Sequence, residues 1–93
     1  MSEEWRPLKR SKGQYEISNR GRVRNVKTGR ILKGFSYKTG AKGVRLGGYI
    51  NRTHTIAQLV AEVYITDKKC RVYHKKSPTD DRPENLFAEE LYD

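Results

Sequence analysis

The chain has 93 residues, which is enough for one small domain. Apolar residues make up 34% and charged residues 33%, but six Tyr, two Phe and one Trp argue against a disordered chain. No apolar run is long enough for a membrane span or a signal peptide, so we expect a cytoplasmic protein without a membrane partner. The single cysteine, Cys70, excludes an internal disulfide, and two histidines do not give zinc-ligand spacing.

Positive charge is concentrated in the first half of the chain. Residues 1–50 contain 13 Lys or Arg and 3 Glu, whereas residues 51–93 contain 7 basic and 8 acidic residues, giving a total of +9. A basic segment that also carries aromatic residues is typical of a nucleic-acid-binding surface. The alternative is a solvated basic surface that keeps a small protein soluble. We therefore expect a basic, β-rich motif over residues 1–50 and a second unit over residues 51–93, together forming one compact domain.

Short strand patterns begin the first half. Trp5 and Leu8 are possible anchors in an otherwise irregular start. Residues 14–18 alternate polar and apolar side chains, which indicates a half-buried strand. Residues 22–26 indicate a second strand, and residues 19–21 between them have the composition of a turn.

The strand patterns continue towards the middle of the chain. A tight turn at residues 27–29 leads to a third predicted strand at residues 30–33. Two more strands are predicted near residues 43–46 and 49–54. The diglycine Gly47-Gly48 between them suits a two-residue hairpin turn.

The second half begins with the clearest helix signal, over residues 55–65. Thr55 is a good N-cap, and Gln58 three positions later completes a capping box. One apolar stripe follows at helical spacing, formed by Ile56, Leu59, Val60 and Val63. After a polar loop, residues 70–74 predict a strand, in which Val72 faces inward if Arg71 and Tyr73 face outward.

Four pieces of the first half, in register, resemble the small DNA-binding module that often precedes or overlaps HNH domains in homing endonucleases. They are EWRPL at 4–8, YEISN at 15–19, GRVR at 21–24 and TGRILK at 28–33. The likeness covers roughly residues 3–50. It implies that this half contacts DNA.

The second half resembles the HNH nucleases of phage and intron homing endonucleases. The segment AQLVAEVYI at 57–65 is similar to a family helix, with Ala57 where the family has His. The segment RVYHKKSPTDDRPENL at 71–86 is similar to the stretch from the catalytic His to the middle Asn, with a loop one residue shorter than the commonest one. The resemblance implies an α+β fold of small antiparallel β-hairpins with one central helix. It ends in a truncated ββα-metal unit, with residues 85–88 as its second strand and one helical turn at residues 89–93.

The charge and the resemblance together predict a nucleic-acid-binding surface on the hairpin at 20–33 and the sheet at 38–52. Long cationic side chains there would follow phosphates. The expected ligand is double-stranded DNA, with an RNA or ribonucleoprotein target left open. The ten candidate binding residues are Arg20, Arg22, Arg24, Lys27, Arg30, Lys33, Lys38, Lys42, Arg45 and Arg52.

The resemblance assigns His74 to the general base of an HNH nuclease and Asn85 to the middle Asn, which orients the His through a hydrogen bond. Such a site needs one Mg²⁺ or Mn²⁺ ion. Tyr73 stands at one ligand position, and a neutral phenol is a poor ligand for either metal. The other ligand falls beyond the end of the sequence. We therefore expect no metal site and no cofactor, with Asp80, Asp81 and Asp93 as weak substitutes.

Each of these residues also has a structural interpretation. His74 is then a strand-end residue hydrogen-bonded to the loop. Asp80 and Asp81 form a turn and cap a helix. Asn85 ties down the loop backbone, whether or not the protein cuts DNA.

Three functional hypotheses follow. The first is a nucleic-acid-binding protein derived from an HNH homing endonuclease, of the phage origin that the resemblance implies and without nuclease activity. The second is an active nicking endonuclease that uses His74 and Mg²⁺ or Mn²⁺, with missing ligands supplied by dimerisation. The third is a phage protein that binds and modulates a host protein or ribonucleoprotein machine. Its acidic tail at 89–93, where Leu91 and Tyr92 would be exposed, suits a peptide-like contact, and the basic half leaves an RNA or ribonucleoprotein target open.

Overall fold

The computed structural model describes residues 3–91, which form three small antiparallel sheets around one helix. The first sheet contains β1 (Trp5–Pro7), β2 (Tyr15–Ser18) and β3 (Val23–Asn25) in that order. The second contains β4 (Phe35–Ser36), β5 (Lys42–Leu46) and β6 (Arg52–Thr55). The third pairs β7 (Cys70–His74) with β8 (Leu86–Glu90), and α1 (Ile56–Tyr64) connects the second sheet to the third. The predicted α+β class is confirmed.

The first sheet differs from the prediction at both edges. Residues 5–7 pair with β2 through Trp5↔Ser18 and Arg6↔Ile17, although no strand is predicted there. Three residues that end in proline are too few to show an alternating pattern, so tertiary pairing determines this strand. The third strand predicted at 30–33 is reduced to a single bridge between Arg24 and Ile31.

The second sheet corrects the predicted diglycine hairpin. The chain leaves β5 through Gly47, forms a 3-10 turn at Gly48–Ile50 and only then enters β6. The longer connection brings the apolar side chain of Ile50 into the core, where it is buried. This burial favours the longer connection over a two-residue turn. The short strand β4 was also missed, because its two residues carry no periodic signal.

The helix forms as its sequence predicts. The Thr55 side chain accepts a hydrogen bond from the Gln58 backbone amide at 3.3 Å, which caps the first turn. Ile56, Leu59 and Val60 are buried, and Val63 packs against the edge of the core. The apolar stripe is therefore a packing face.

The hydrophobic core includes side chains from all three sheets and from α1. Tyr64 adds a polar link, since its hydroxyl lies 2.8 Å from the Ile17 carbonyl oxygen. A bidentate ion pair joins Arg10 to Glu62 of α1 at 2.7 and 2.8 Å. The buried cluster comprises Leu8, Tyr15, Ile17, Val23, Val44, Leu46, Ile50, Ile56, Ala57, Leu59, Val60 and Leu86.

The third sheet corrects the predicted C-terminal helical turn. Strand β8 continues to Glu90, and the Leu91 amide donates to the Lys69 carbonyl at 2.9 Å. Alternation explains this, since Leu86 and Ala88 face the core side while Phe87 and Glu89 face outward. Residues 92 and 93, including the candidate ligand Asp93, lie outside the described residues. Across the described chain, 3–91, no helix is both long and apolar enough to cross a membrane.

Candidate functional site

Asn85 organises the loop between β7 and β8. Its side-chain amide donates to the carbonyl oxygens of Ser77 at 3.0 Å and Asp80 at 2.7 Å. Its side-chain oxygen accepts from the Lys76 amide at 3.1 Å. All three partners are backbone groups of the loop, so Asn85 fastens the loop and does not orient His74 as the resemblance implies.

His74 has a different partner. Its Nε2 lies 2.7 Å from Oδ1 of Asp81, and the two side chains are 16% and 3% exposed. The other carboxylate oxygen, Oδ2 of Asp81, is buried and is the one such side-chain atom within residues 3–91 that has no hydrogen-bond partner. Loss of either side chain should lower the stability of the fold. A buried polar atom without a hydrogen-bond partner costs free energy, and Asp81 already has one such oxygen.

The loop packs against the first half of the chain at Gly21. This glycine has φ = +79°, and a Cβ built on it would lie 3.0 Å from Cβ of Asp81 and 3.5 Å from Cγ2 of Ile56. The turn between β2 and β3 thus supports the buried face of Asp81. The basic hairpin and the His74 loop are joined through this contact.

Asp80 is held by Arg82 and not by the core. The Arg82 guanidinium donates to the two carboxylate oxygens at 2.9 and 2.7 Å. Hydrogen bonds from this side chain, and from the Arg82 backbone amide, lower the pKa of Asp80 to about 2. The predicted role of Asp80 as a turn former agrees with this local network.

The residues around His74 do not fit the divalent metal that HNH chemistry implies. Tyr73 faces outward, on the opposite side of β7 from His74, and stacks on Phe87 with ring centroids 6.4 Å apart. Asp80 and Asp81, the weak candidate ligands, are already bonded to Arg82 and His74. No three His, Cys, Asp or Glu side chains between residues 3 and 91 are arranged to hold a metal ion.

The ten predicted nucleic-acid-binding cations lie on strands of the first two sheets and in the loops that connect them. Nine of them are exposed and Arg24 is half-buried. Arg45 donates to the Asn51 side chain at 3.2 Å, and Arg20 contributes to lowering the pKa of Glu3. Seven form no ion pair with any carboxylate of the described chain, 3–91; they are Lys27, Arg30, Lys33, Lys38, Lys42, Arg45 and Arg52.

Arg22 and Arg24 are arranged around Trp5. Their guanidinium carbons lie 5.6 and 4.2 Å from the centre of a Trp5 ring, within the range of a cation–π contact. Arg24 also donates to Glu16 at 2.9 Å, across the β2–β3 pair. Val23, which lies between them in the sequence, is buried, as alternation along a strand explains.

Arg22 forms an ion pair with Glu3, as Arg24 does with Glu16. The Arg22 Nε donates to one carboxylate oxygen of Glu3 at 2.9 Å, and its terminal amine bonds the other. These hydrogen bonds lower the pKa of Glu3 to about 2. Two carboxylates of the chain thus occupy the guanidinium groups that the sequence assigned to DNA.

Sequence reasoning missed the roles of Glu3 and Glu16, the contact of Trp5 with two arginines, and the bond between His74 and Asp81. The Glu16–Arg24 pair could have been found by aligning the predicted hairpin, since directly opposed residues of opposite charge attract. No comparable signal exists for Glu3 or Asp81, whose contacts depend on how separate segments pack.

The chain was compared with known proteins. Residues 3–47 match the NUMOD4 motif family. The solved structure titled "DNA binding and cleavage by the HNH homing endonuclease I-HmuI" aligns with a TM-score of 0.79 and 28% sequence identity. That alignment covers 94% of this chain and 52% of the other, so the chain spans about half the length of that endonuclease. No curated protein matches the chain.

The fold places the chain among proteins similar to HNH homing endonucleases, and both matches confirm the resemblance stated from the sequence. Within that class, the first half of the chain carries the NUMOD4 motif.

Proposed function

We propose that this chain is a nucleic-acid-binding module related to HNH homing endonucleases, with double-stranded DNA as its ligand. One observation carries the proposal. Between Glu16 and Glu62 the sequence contains no Asp or Glu, and the ten Lys and Arg of that stretch are the ten candidate residues. The stretch includes β3 and all three strands of the second sheet, so these strands and their loops carry positive charge and no acidic side chain of their own.

Phosphate binding is the interaction that such a set of cations suits best. Lysine and arginine side chains that neutralise phosphates release condensed counterions, so affinity falls steeply with salt. Seven of the cations form no ion pair within residues 3–91, so they can contact phosphates without first breaking one. The endonuclease that shares this fold is described by its title as binding DNA, which supports the same ligand here.

The test compares two triple variants with the same change in net charge. Lys27→Gln/Arg30→Gln/Lys33→Gln removes cations from the proposed surface, and Lys68→Gln/Lys69→Gln/Lys75→Gln removes exposed cations from the second half. We expect the first variant to reduce the slope of log affinity against log salt by about 2 to 3, since each lost phosphate contact contributes about 0.9. Equal effects of the two variants on duplex binding would contradict the proposed surface.

We also propose that the chain does not cleave the nucleic acid that it binds. The donor atoms around His74 do not fit a divalent metal, and Nε2 of His74 is bonded to Asp81. In the acidic tail of the host-protein alternative, residues 89 and 90 belong to β8 and are not a free peptide, although Leu91 is exposed. Purified protein should leave supercoiled plasmid intact with Mg²⁺ or Mn²⁺. Metal-dependent nicking that is lost in His74→Ala would overturn this part of the proposal.

A further inference from the structure

We propose that Phe35 and Tyr37 form a stacking platform for a single unstacked nucleobase. The proposal rests on the proposed function and adds a base contact to the phosphate contacts. It predicts that the protein prefers nucleic acid with a bulged or unpaired base over a perfect duplex.

The two rings form a fixed aromatic pair on the second sheet. Their centroids are 5.2 Å apart and their planes meet at 69°, an edge-to-face arrangement. Phe35 is 41% exposed and Tyr37 is 40% exposed. Two aromatic residues that stay this accessible beside a packed strand leave ring surface available to a ligand.

Gly43 holds the rings in place. A Cβ added to Gly43 would lie 2.8 Å from both Cζ of Phe35 and Cε2 of Tyr37. The rings therefore rest directly on the backbone of β5, and Phe35 is the register partner of Gly43. Little side-chain entropy remains to be lost when a base stacks on a ring that is already positioned.

Cations neighbour the platform in the sequence and in the strand register. Lys38 follows Tyr37, and Lys42 is paired with Ser36 across β4 and β5. A shallow groove of about 320 Å³ begins at Phe35 and Gly43 and is bordered by Arg22 and Lys42. An aromatic surface beside Lys38 and Lys42, which form no ion pair within residues 3–91, matches a nucleotide, which has a π face and a negative phosphate.

A base inside a duplex cannot stack on this platform, because both of its faces are already stacked on neighbouring base pairs. A base in a bulge, at a mismatch or in a single strand has a free face. Stacking on aromatic side chains is general among bases, and its loss typically weakens binding by about five- to a hundredfold. We therefore expect a preference for distorted DNA and no strong preference among the four bases.

The experiment measures binding to two DNAs, a perfect duplex and the same duplex with one bulged base. The platform variant is Phe35→Leu/Tyr37→Leu, which keeps apolar side chains over Gly43. The matched control is Tyr73→Leu/Phe87→Leu, which alters the other exposed aromatic pair, 45% and 53% exposed. We expect the wild type and the control to bind the bulged DNA about tenfold more tightly than the duplex. The platform variant should bind both equally, at the wild-type affinity for the duplex.

A second measurement does not depend on the variants folding. A 5-iododeoxyuridine placed at the bulge forms a photochemical cross-link to an aromatic side chain stacked on it. We expect the cross-link in the wild-type protein on the tryptic peptide that spans residues 34–38.

The outcomes separate this inference from the proposed function. Duplex binding without a preference for the bulge, or a preference that survives in the platform variant, overturns the platform alone. A cross-link to Tyr73 or Phe87 also overturns it. If the wild type binds neither DNA, the proposed function fails together with the platform.

Discussion

The imidazole of His74 and the carboxylate of Asp81 form a hydrogen bond of 2.7 Å in the interior of the loop that connects β7 and β8. The pair makes the loop depend on two side chains seven residues apart. His74→Ala would leave the carboxylate buried without a partner, and we expect it to lower the free energy of unfolding by about 2–4 kcal/mol. Asp81→Ala should cost less, because His74 is closer to solvent.

A double-mutant cycle tests this pair by urea unfolding. The double variant His74→Ala/Asp81→Ala should cost about 1–2 kcal/mol less than the sum of the single variants. Additive effects would show that the two side chains do not stabilise each other.

Two glycines at hairpin turns provide a matched comparison. Gly21 and Gly29 have φ = +79° and +72°, so alanine at either position is strained. Of the two, only Gly21 has neighbours that an added Cβ would meet: Asp81 at 3.0 Å and Ile56 at 3.5 Å. We expect Gly29→Ala to cost about 1 kcal/mol and Gly21→Ala about 2–3 kcal/mol in unfolding free energy. Equal costs in thermal or urea unfolding would argue against the packing of the loop on this turn.

Asn85 should tolerate neither a smaller nor an isosteric side chain. Asn85→Ala removes three hydrogen bonds to loop backbone groups, and we expect a loss of about 2–4 kcal/mol. Asn85→Asp keeps the shape but directs a carboxylate at the carbonyls of Ser77 and Asp80, so it should be at least as damaging. The measurements are urea unfolding and hydrogen exchange of the Lys76 amide. An aspartate variant as stable as the wild type would contradict the assigned bonds.

On the proposed binding surface, Glu3 would compete with phosphate for Arg22. We expect Glu3→Gln to increase affinity for duplex DNA about threefold at low salt, since Arg22 then becomes available for a charge-assisted bond. Glu89→Gln is the control, because it removes the same charge from an exposed position on β8. Fluorescence anisotropy with labelled duplex measures both. An equal gain in affinity in the control would show that the effect comes from net charge and not from Arg22.

Acid should weaken the fold through Glu3 and Asp80, whose pKa values are lowered to about 2 from 4.5 and 3.8. A lowered carboxyl pKa in the folded state stabilises the protein above the ordinary pKa. That stabilisation is lost as the pH falls towards 2. We expect the melting temperature to decrease between about pH 4.5 and pH 2, with a shallower decrease in Glu3→Gln/Asp80→Asn. The same acid dependence in the variant would contradict the assignment.

The sequence predicts those parts of the fold that have local signals. The Thr55 cap, the apolar stripe of α1 and strand β7 follow from periodicity and capping chemistry, and the structure confirms them. Strands β1 and β4 have two or three residues and no periodicity, so they depend on pairing with distant segments. The binding role of the ten cations stays a prediction. Two of them, Arg22 and Arg24, form ion pairs with Glu3 and Glu16. These pairs were found only in the structure.

The position of Trp5 has a practical consequence. It is the single tryptophan of the chain, and two guanidinium groups lie over its rings. Charged groups beside an indole shift its emission, so movement of Arg22 or Arg24 towards a ligand would change the intrinsic fluorescence. The fluorescence of Trp5 should therefore report changes at the basic hairpin without an added label.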